Sequence, residues 1–268
     1  MSETVHDTVD GLRVEIARGI ATLWLDRPAK RNAVTYDMWV GIAAHCERLA
    51  DDDAVRLLVV RGVGDHFCAG ADIAGMGDVS GRAYKRANEA ADAALAAFSK
   101  PSLAVITGAC VGGGTEIAVA CDLRLADSTS RFGITPARLG IVYPASATAR
   151  VVTLIGPSAT KHLLFSAELI DVERALRIGL VDEVHAPDAL DNRVAELTAL
   201  LAGQRSLLTQ MASKEIVDAL SSDGRVDPEL ELRWGRAVAT SGVPAEGVAA
   251  FAERRSPEFT WTPAEERR

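Results

Sequence analysis

Apolar positions along the first half of the chain follow two rhythms. Leu12, Val14 and Ile16 alternate with more polar neighbours, and Ile20, Leu23 and Leu25 continue beyond Arg18-Gly19. That pattern predicts a β-hairpin, and Asp26-Arg27-Pro28 ends its second strand. From Tyr36 to Ala50, Met38, Ile42, Cys46 and Leu49 recur at steps of three and four, which is a helical period. Val55 to Val60 is almost continuously apolar, as a strand covered on both faces would be. A glycine-rich loop from Gly62 to Gly77 follows, then an alanine-rich helix over Arg82 to Phe98 that Lys100-Pro101 stops. Leu103 to Thr107 predicts a second buried strand. Gly112-Gly113-Gly114 breaks it before a helix to Ala120, and Asp122 to Ala126 alternates again.

Beyond Pro144 the rhythm becomes mostly helical. Helices are predicted over Ala145–Ile155, Ser158–Phe165, Val172–Ile178 and Asp188–Leu201, with one strand at Val181–Val184. The remainder reads as helices alone, broken near Asp223-Gly224 and Gly242-Val243-Pro244. The expectation is an α/β core over residues 1–200 and a helical region over 201–268. Neither a low-complexity segment nor a sequence repeat is evident.

Composition narrows the function classes. Of 268 residues, 48% are hydrophobic and 25% charged, the make-up of a soluble globular protein. A net charge of −8 with scattered basic residues argues against a nucleic-acid partner. No apolar run reaches the roughly 18 residues of a membrane span, and Met1 to Asp10 is too acidic and polar for a signal peptide. A cytoplasmic protein without a membrane partner is expected. Cys46, Cys68, Cys110 and Cys121 form no C-x-x-C pair and read as buried free thiols. The histidines lack ligand spacing, so no metal is expected.

Two glycine-rich segments each follow a buried strand: His66 to Ile73 (HFCAGADI) and Gly108 to Glu116 (GACVGGGTE). Small residues let a backbone approach a ligand, and loops that open helices leave N–H groups unpaired. Two such loops could each aim one N–H at a single developing oxyanion. Neither matches a nucleotide-cradling motif. Taken alone, each reads first as a tight turn. Glu116 falls in a first helical turn, where an acid also suits the helix dipole.

The strings FCAGADI and GACVGGGTEIAVACD, about 40 residues apart, resemble the crotonase, or enoyl-CoA hydratase/isomerase, family. So do LDRPAKRNAVT at 25–35, RFGITPARLG at 131–140, ALRIGLVDEV at 175–184 and VAAFAERRSPEF at 248–259, in the family's order over nearly the whole chain. The resemblance implies an α/β fold, a spiral of ββα units with a C-terminal helical region. It implies an oxyanion hole from the N–H groups of Ala71 and Gly113. It gives a CoA channel lined by Ala69, Gly70, Ala71, Asp72, Ile73 and Ala74, with Gly112 and Gly113 beside it. Glu116 matches the family's first catalytic glutamate. The implied partner is an acyl-CoA, with CoA part of the substrate and no separate cofactor, and the implied assembly is a trimer or dimer of trimers.

One departure stands out. Where the family has its second glutamate this chain has Pro136, or Ala137 with a shift of one, and no Asp or Glu occurs from Ser128 through Ala167. Tyr143 is the nearby phenol, either in the pocket as an acid–base group or packed against the following helix. The segment ITPARLGIVYP also resembles decarboxylating relatives, which carry histidine where this chain has Ala71. Arg138 reads as a surface cation or CoA-phosphate contact, Asp72 as a cap, and His66 as structural. Hydration of a 2-enoyl-CoA is the leading expectation. Isomerisation, decarboxylation and a catalytically weak CoA-ester-binding homologue are the alternatives.

Overall fold

The computed structural model describes residues 9–74 and 79–265; the end of the Gly62 to Gly77 loop lies outside them. The hairpin forms as its pattern requires: β1 (Leu12–Ala17) and β2 (Ile20–Leu25) pair antiparallel from Leu12 opposite Leu25 to Ala17 opposite Ile20. Arg18 and Gly19, at φ 52° and 78°, make the left-handed turn between them. β3 (Leu57–Gly62), β4 (Ser102–Ile106), β6 (Leu123–Asp127) and β9 (Glu183–His185) extend the sheet in parallel, in the order β1-β2-β3-β4-β6-β9. All of β4 is buried, which is why its sequence runs apolar without alternation.

Helices α1 (Tyr36–Asp51), α2 (Gly81–Ala96) and α3 (Gly113–Ala120) lie over one face, in a cluster that includes Leu23, Trp39, Leu58, Val60, Leu95 and Ile117. Leu57, Val59, Leu103, Val105 and Leu125 point to the other face, which α6 (Pro187–Gly203) covers with Leu190, Val194 and Ala202. The side chains of Thr35 and Ser80 cap α1 and α2 by accepting from Met38 N–H and Ala83 N–H.

A second layer escaped the sequence pattern. β5 (Ala109–Val111), β7 (Arg131–Gly133) and β8 (Ile170–Asp171) form a small sheet. Isolated parallel bridges at Cys68–Cys110 and Val34–Ala71 continue it. Each turn of the chain thus lays one strand in the large sheet, turns sharply, adds a short segment to the second layer and then enters a helix. That is a spiral of ββα units without any sequence repeat. α4 (Ala145–Ser166) carries the two predicted helices as one, kinked where Gly156 takes φ 75° ahead of Pro157; α5 (Val172–Arg177) precedes β9.

Residues 201–203 belong to α6, and the C-terminal helices begin at Leu207: α7 (Leu207–Asp223), α8 (Pro228–Thr240) and α9 (Val243–Glu253). Gly224 and Gly242 take left-handed φ at the two predicted breaks. These helices gather around Leu208, Met211, Trp234 and Trp261, apart from the main core. Lys214 Nζ ties them to it through Asp122 at 2.9 Å.

Asn32 clamps the loops before the site. Fully buried at φ 56°, it accepts from Arg27 N–H at 2.9 Å and donates to Val63 O at 3.0 Å and His66 O at 2.6 Å. Asparagine suits this left-handed position. Asn32→Ala should destabilise the chain by about 3 kcal/mol, roughly 1 per lost hydrogen bond. Urea unfolding measures this, and a loss below about 1 kcal/mol would mean that the loops hold one another without the clamp.

Candidate active site

The two glycine loops meet because their backbones pair. Cys68 N–H donates to Ala109 O at 2.8 Å and Val111 N–H to Cys68 O at 3.0 Å. Beyond this pairing, Gly70 at φ 115° and Gly112 at φ 56° turn the two chains toward each other. A Cβ on Gly113 would stand 3.3 Å from Ala71 N and 3.1 Å from Trp39 Cζ2, so glycine keeps clear the space beside the Ala71 N–H. Gly70 O accepts from Val34 N–H and Asp72 N–H donates to Val34 O, both at 2.8 Å. Between them, among the described residues, Ala71 N–H has no acceptor, nor has Gly113 N–H in the uncapped first turn of α3. Two free donors stand side by side.

Other expected site residues fall around this pair. Ala69 is half-buried, Gly70 buried, and Ile73 and Ala74 exposed, so the segment runs outward from the donors to the surface. The Asp72 carboxylate binds Arg27 Nη1 at 2.8 Å, tying the first glycine loop to the loop after β2. His66 Nδ1 accepts from Ala109 N–H at 3.1 Å, a structural contact as expected. Pro136 opens a short 3-10 turn through Arg138, which is exposed. The segment abuts the site, since Gly112 N–H donates to Gly133 O at 2.8 Å. It brings no carboxylate there.

Glu116 is 3% exposed in the first turn of α3. Asn88 Nδ2 of α2 donates to its Oε1 at 2.8 Å. Burial, then the negative charge of Asp92, push its carboxyl up to about 8; the Asn88 bond and the Arg150 charge pull the other way without prevailing. Tyr143 is buried nearby, but its hydroxyl donates to Gly112 O at 3.0 Å, the carbonyl that also accepts from Glu116 N–H at 3.0 Å. Burial, with Glu116 adding to it, raises this phenol well above its ordinary value. The phenol's proton is engaged in fixing the glycine loop.

Asn88, Asp92 and Arg150 were not singled out from the sequence. Their signal was there: Asn88 and Asp92 interrupt the apolar stripe of α2 at Tyr84, Ala87, Ala91 and Leu95, four residues apart and on its buried face. The four cysteines are free and buried, and burial pushes Cys46, Cys68 and Cys121 up to about 12. A separate cleft of about 560 Å3 on the far face of the sheet, beside Glu15, Trp24 and Arg61, lies away from the paired donors.

A buried, protonated Glu116 has a consequence for stability. Its folded-state value near 8 exceeds the ordinary 4.5. The contribution is therefore fully present below pH 4.5 and is lost as pH rises through 8. Glu116→Gln has no charge to bury, so at about pH 9 it should exceed the parent chain in stability by on the order of 2 kcal/mol, with the gap closing in acid. Denaturation midpoints of both proteins across this range provide the check. A gap that does not change with pH would contradict the raised carboxyl.

Comparisons with known proteins identify the family. A family model described as enoyl-CoA hydratase/isomerase matches residues 15–262. The chain is 32% identical over 257 residues to a crotonyl-CoA hydratase of Syntrophomonas wolfei, covering 93% of this chain and 98% of that protein. It is 30% identical to a short-chain-enoyl-CoA hydratase of Clostridium acetobutylicum, over 89% and 93% of the two chains. A crystal structure of an enoyl-CoA hydratase/carnithine racemase from Magnetospirillum magneticum superposes with a TM-score of 0.88 at 30% identity, covering 94% of this chain and 96% of that one. With the motifs in order, the ββα spiral and a family match across most of its length, the chain belongs to the enoyl-CoA hydratase/isomerase family.

Proposed function

We propose that this protein is an enoyl-CoA hydratase that converts a 2-enoyl-CoA and water to a 3-hydroxyacyl-CoA. The observation that carries this reading is the pair of unpaired N–H groups, Ala71 and Gly113, on the loops that lead to the buried carboxyl of Glu116. A thioester oxygen seated on both donors would be stabilised as it gains enolate charge, and small preorganised dipoles do this best where water is excluded. Ionised Glu116 takes a proton from water as the hydroxide portion bonds to C3. The same carboxyl then gives that proton to C2 of the enolate. One water supplies both new groups, so atoms and charge balance with a single carboxylate. The reaction is redox-neutral, and no cofactor besides the CoA of the substrate enters it.

The exposed end of the segment from Ala69 to Ala74 suits a channel along which the CoA leaves the site, with Gly112 and Gly113 as its inner wall. Pro136 in place of a second glutamate favours one rival of the same chemistry, movement of a double bond by a single carboxylate between C2 and C4. The free, buried thiols fit a reducing compartment, the cytoplasm. Large apolar side chains stand out on the surface, Val142 at 92% and Phe251 at 88% exposed, with Phe165 and Val248 also open. Exposed apolar side chains of this size support a homotrimer or a dimer of trimers. Light scattering at micromolar concentration should therefore give three or six times the mass of one chain; a monomer would end this part of the reading.

Product analysis by mass spectrometry with crotonyl-CoA, and with a panel of other acyl-CoA thioesters, tests the activity. Glu116→Gln should lose about 100- to 10,000-fold in turnover while binding the thioester nearly as well. Gly113→Ala, which fills the space beside Ala71 N, should lose about 100- to 1000-fold. Tyr143→Phe should cost less than either, since the phenol holds the loop and does not move the proton. Full activity in Glu116→Gln would refute the assignment, and a panel with no turnover would favour a CoA-ester-binding protein.

A further inference from the structure

Asp92 sits where an alanine-rich helix would be expected to present an apolar residue. It is 2% exposed on the inward face of α2. Its Oδ1 accepts from Arg150 Nη1 of α4 at 2.6 Å. Its Oδ2 is shut off from solvent and has no hydrogen-bond partner among the described residues. A buried carboxylate oxygen left without a donor is destabilising, and an apolar pair of similar size would often be more stable. One turn earlier on the same helix face, Asn88 holds Glu116 at 2.8 Å. α2 therefore offers Glu116 a hydrogen-bond donor and, four residues on, a buried carboxylate with one oxygen unpartnered.

Among the described residues, Glu116 is faced by Tyr84, Asn88 and Asp92 of α2, by Cys68 of the first glycine loop, by Tyr143 ahead of α4, and by Arg150 of α4. Burial raises Cys68, Tyr84 and Tyr143 and keeps them neutral. The fixed charges acting on Glu116 are then Asp92 and Arg150.

We propose that Asp92, anchored by Arg150, is a positioning residue that holds the proton on Glu116, so that this one carboxyl both gives and takes a proton in neutral solution. The proposal rests on the hydration reading and explains how the site works without a second glutamate. A carboxyl in the ordinary range would be almost fully ionised and a weak base. One brought near 8 exchanges a proton with little bias in either direction.

The test follows the proton on Glu116 directly. The carbonyl-stretch infrared band of the protonated carboxyl, identified as the band absent in Glu116→Gln, is titrated with pH in the resting protein. The pH–rate profile for crotonyl-CoA hydration is measured beside it. In Asp92→Asn, which keeps an oxygen for Arg150, the midpoint should fall from about 8 by about one pH unit or more. The pH–rate limb should move with it, and kcat should fall more than KM rises. Asp92→Asn combined with Arg150→Gln removes both charges while keeping a polar pair and serves if the single variant does not fold. Its midpoint should also fall, because Asp92 acts on Glu116 more strongly than Arg150 does. A midpoint unmoved in either folded variant overturns the proposal, since a purely structural pair would alter stability alone. The infrared titration needs no turnover. A shifted midpoint without hydratase activity would therefore sustain the role of Asp92 and sink the hydration reading.

Discussion

Two main-chain hydrogen bonds, Cys68 N–H to Ala109 O and Val111 N–H to Cys68 O, hold together everything the site needs. They join segments about 40 residues apart that each leave the same end of neighbouring parallel strands, β3 and β4. Once these backbones are paired, Ala71 and Gly113 have no freedom to separate. Side chains near the junction must be small: a Cβ on Gly114 would stand 2.4 Å from Cys68 O. The glycine run is thus required first by packing. The free N–H groups follow from that packing, because a chain turning out of a short second-layer strand into an uncapped helix leaves donors unused.

The other side of the site is held by charge under poor solvation. Glu116 is buried against α2 and α4, which would neutralise an isolated carboxyl by desolvation alone. Asn88 and Arg150 oppose that, and Asp92 reinforces it. Such a balance costs stability, and this is where local rules of good packing are broken: an unpartnered carboxylate oxygen, and polar side chains on the inward face of an alanine-rich helix. The compensation lies in the core around it, where Trp39 Nε1 donates to Tyr84 OH at 2.9 Å and closes the gap between α1 and α2.

Much of the fold was legible because β1 to β4 run five or six residues with a clear alternating or continuously apolar pattern, and α1 and α2 run 16 residues each. Val55 to Val60 announced β3, though the strand runs two residues later, at Leu57–Gly62, because Val55 is spent on the turn out of α1. β5, β7 and β8 are three, three and two residues long, too short for any period to register. The glycine loops and Glu116 were legible through their motifs. The α2 pattern marks Asn88 and Asp92 as polar residues on a buried face, but their role, and that of Arg150, depends on which helix faces which. Tyr143 shows the same limit: the sequence placed a phenol near the loop but could not say that its proton points at Gly112 O.

The loss of the second carboxylate and the buried charge behind the first belong to one problem. Two carboxylates in a site divide the labour, one holding a proton while the other lacks it, and their mutual repulsion sets which is which. With Pro136 in the segment that abuts Gly112, that repulsion has no source on the α4 side, where no acid occurs from Ser128 through Ala167. Asp92 supplies a negative charge from the opposite side, on α2, but is sealed from solvent and bound to Arg150. It therefore acts on Glu116 through its charge, from a position one turn beyond Asn88 on the same helix face. A site organised this way separates the charge that tunes from the carboxyl that reacts.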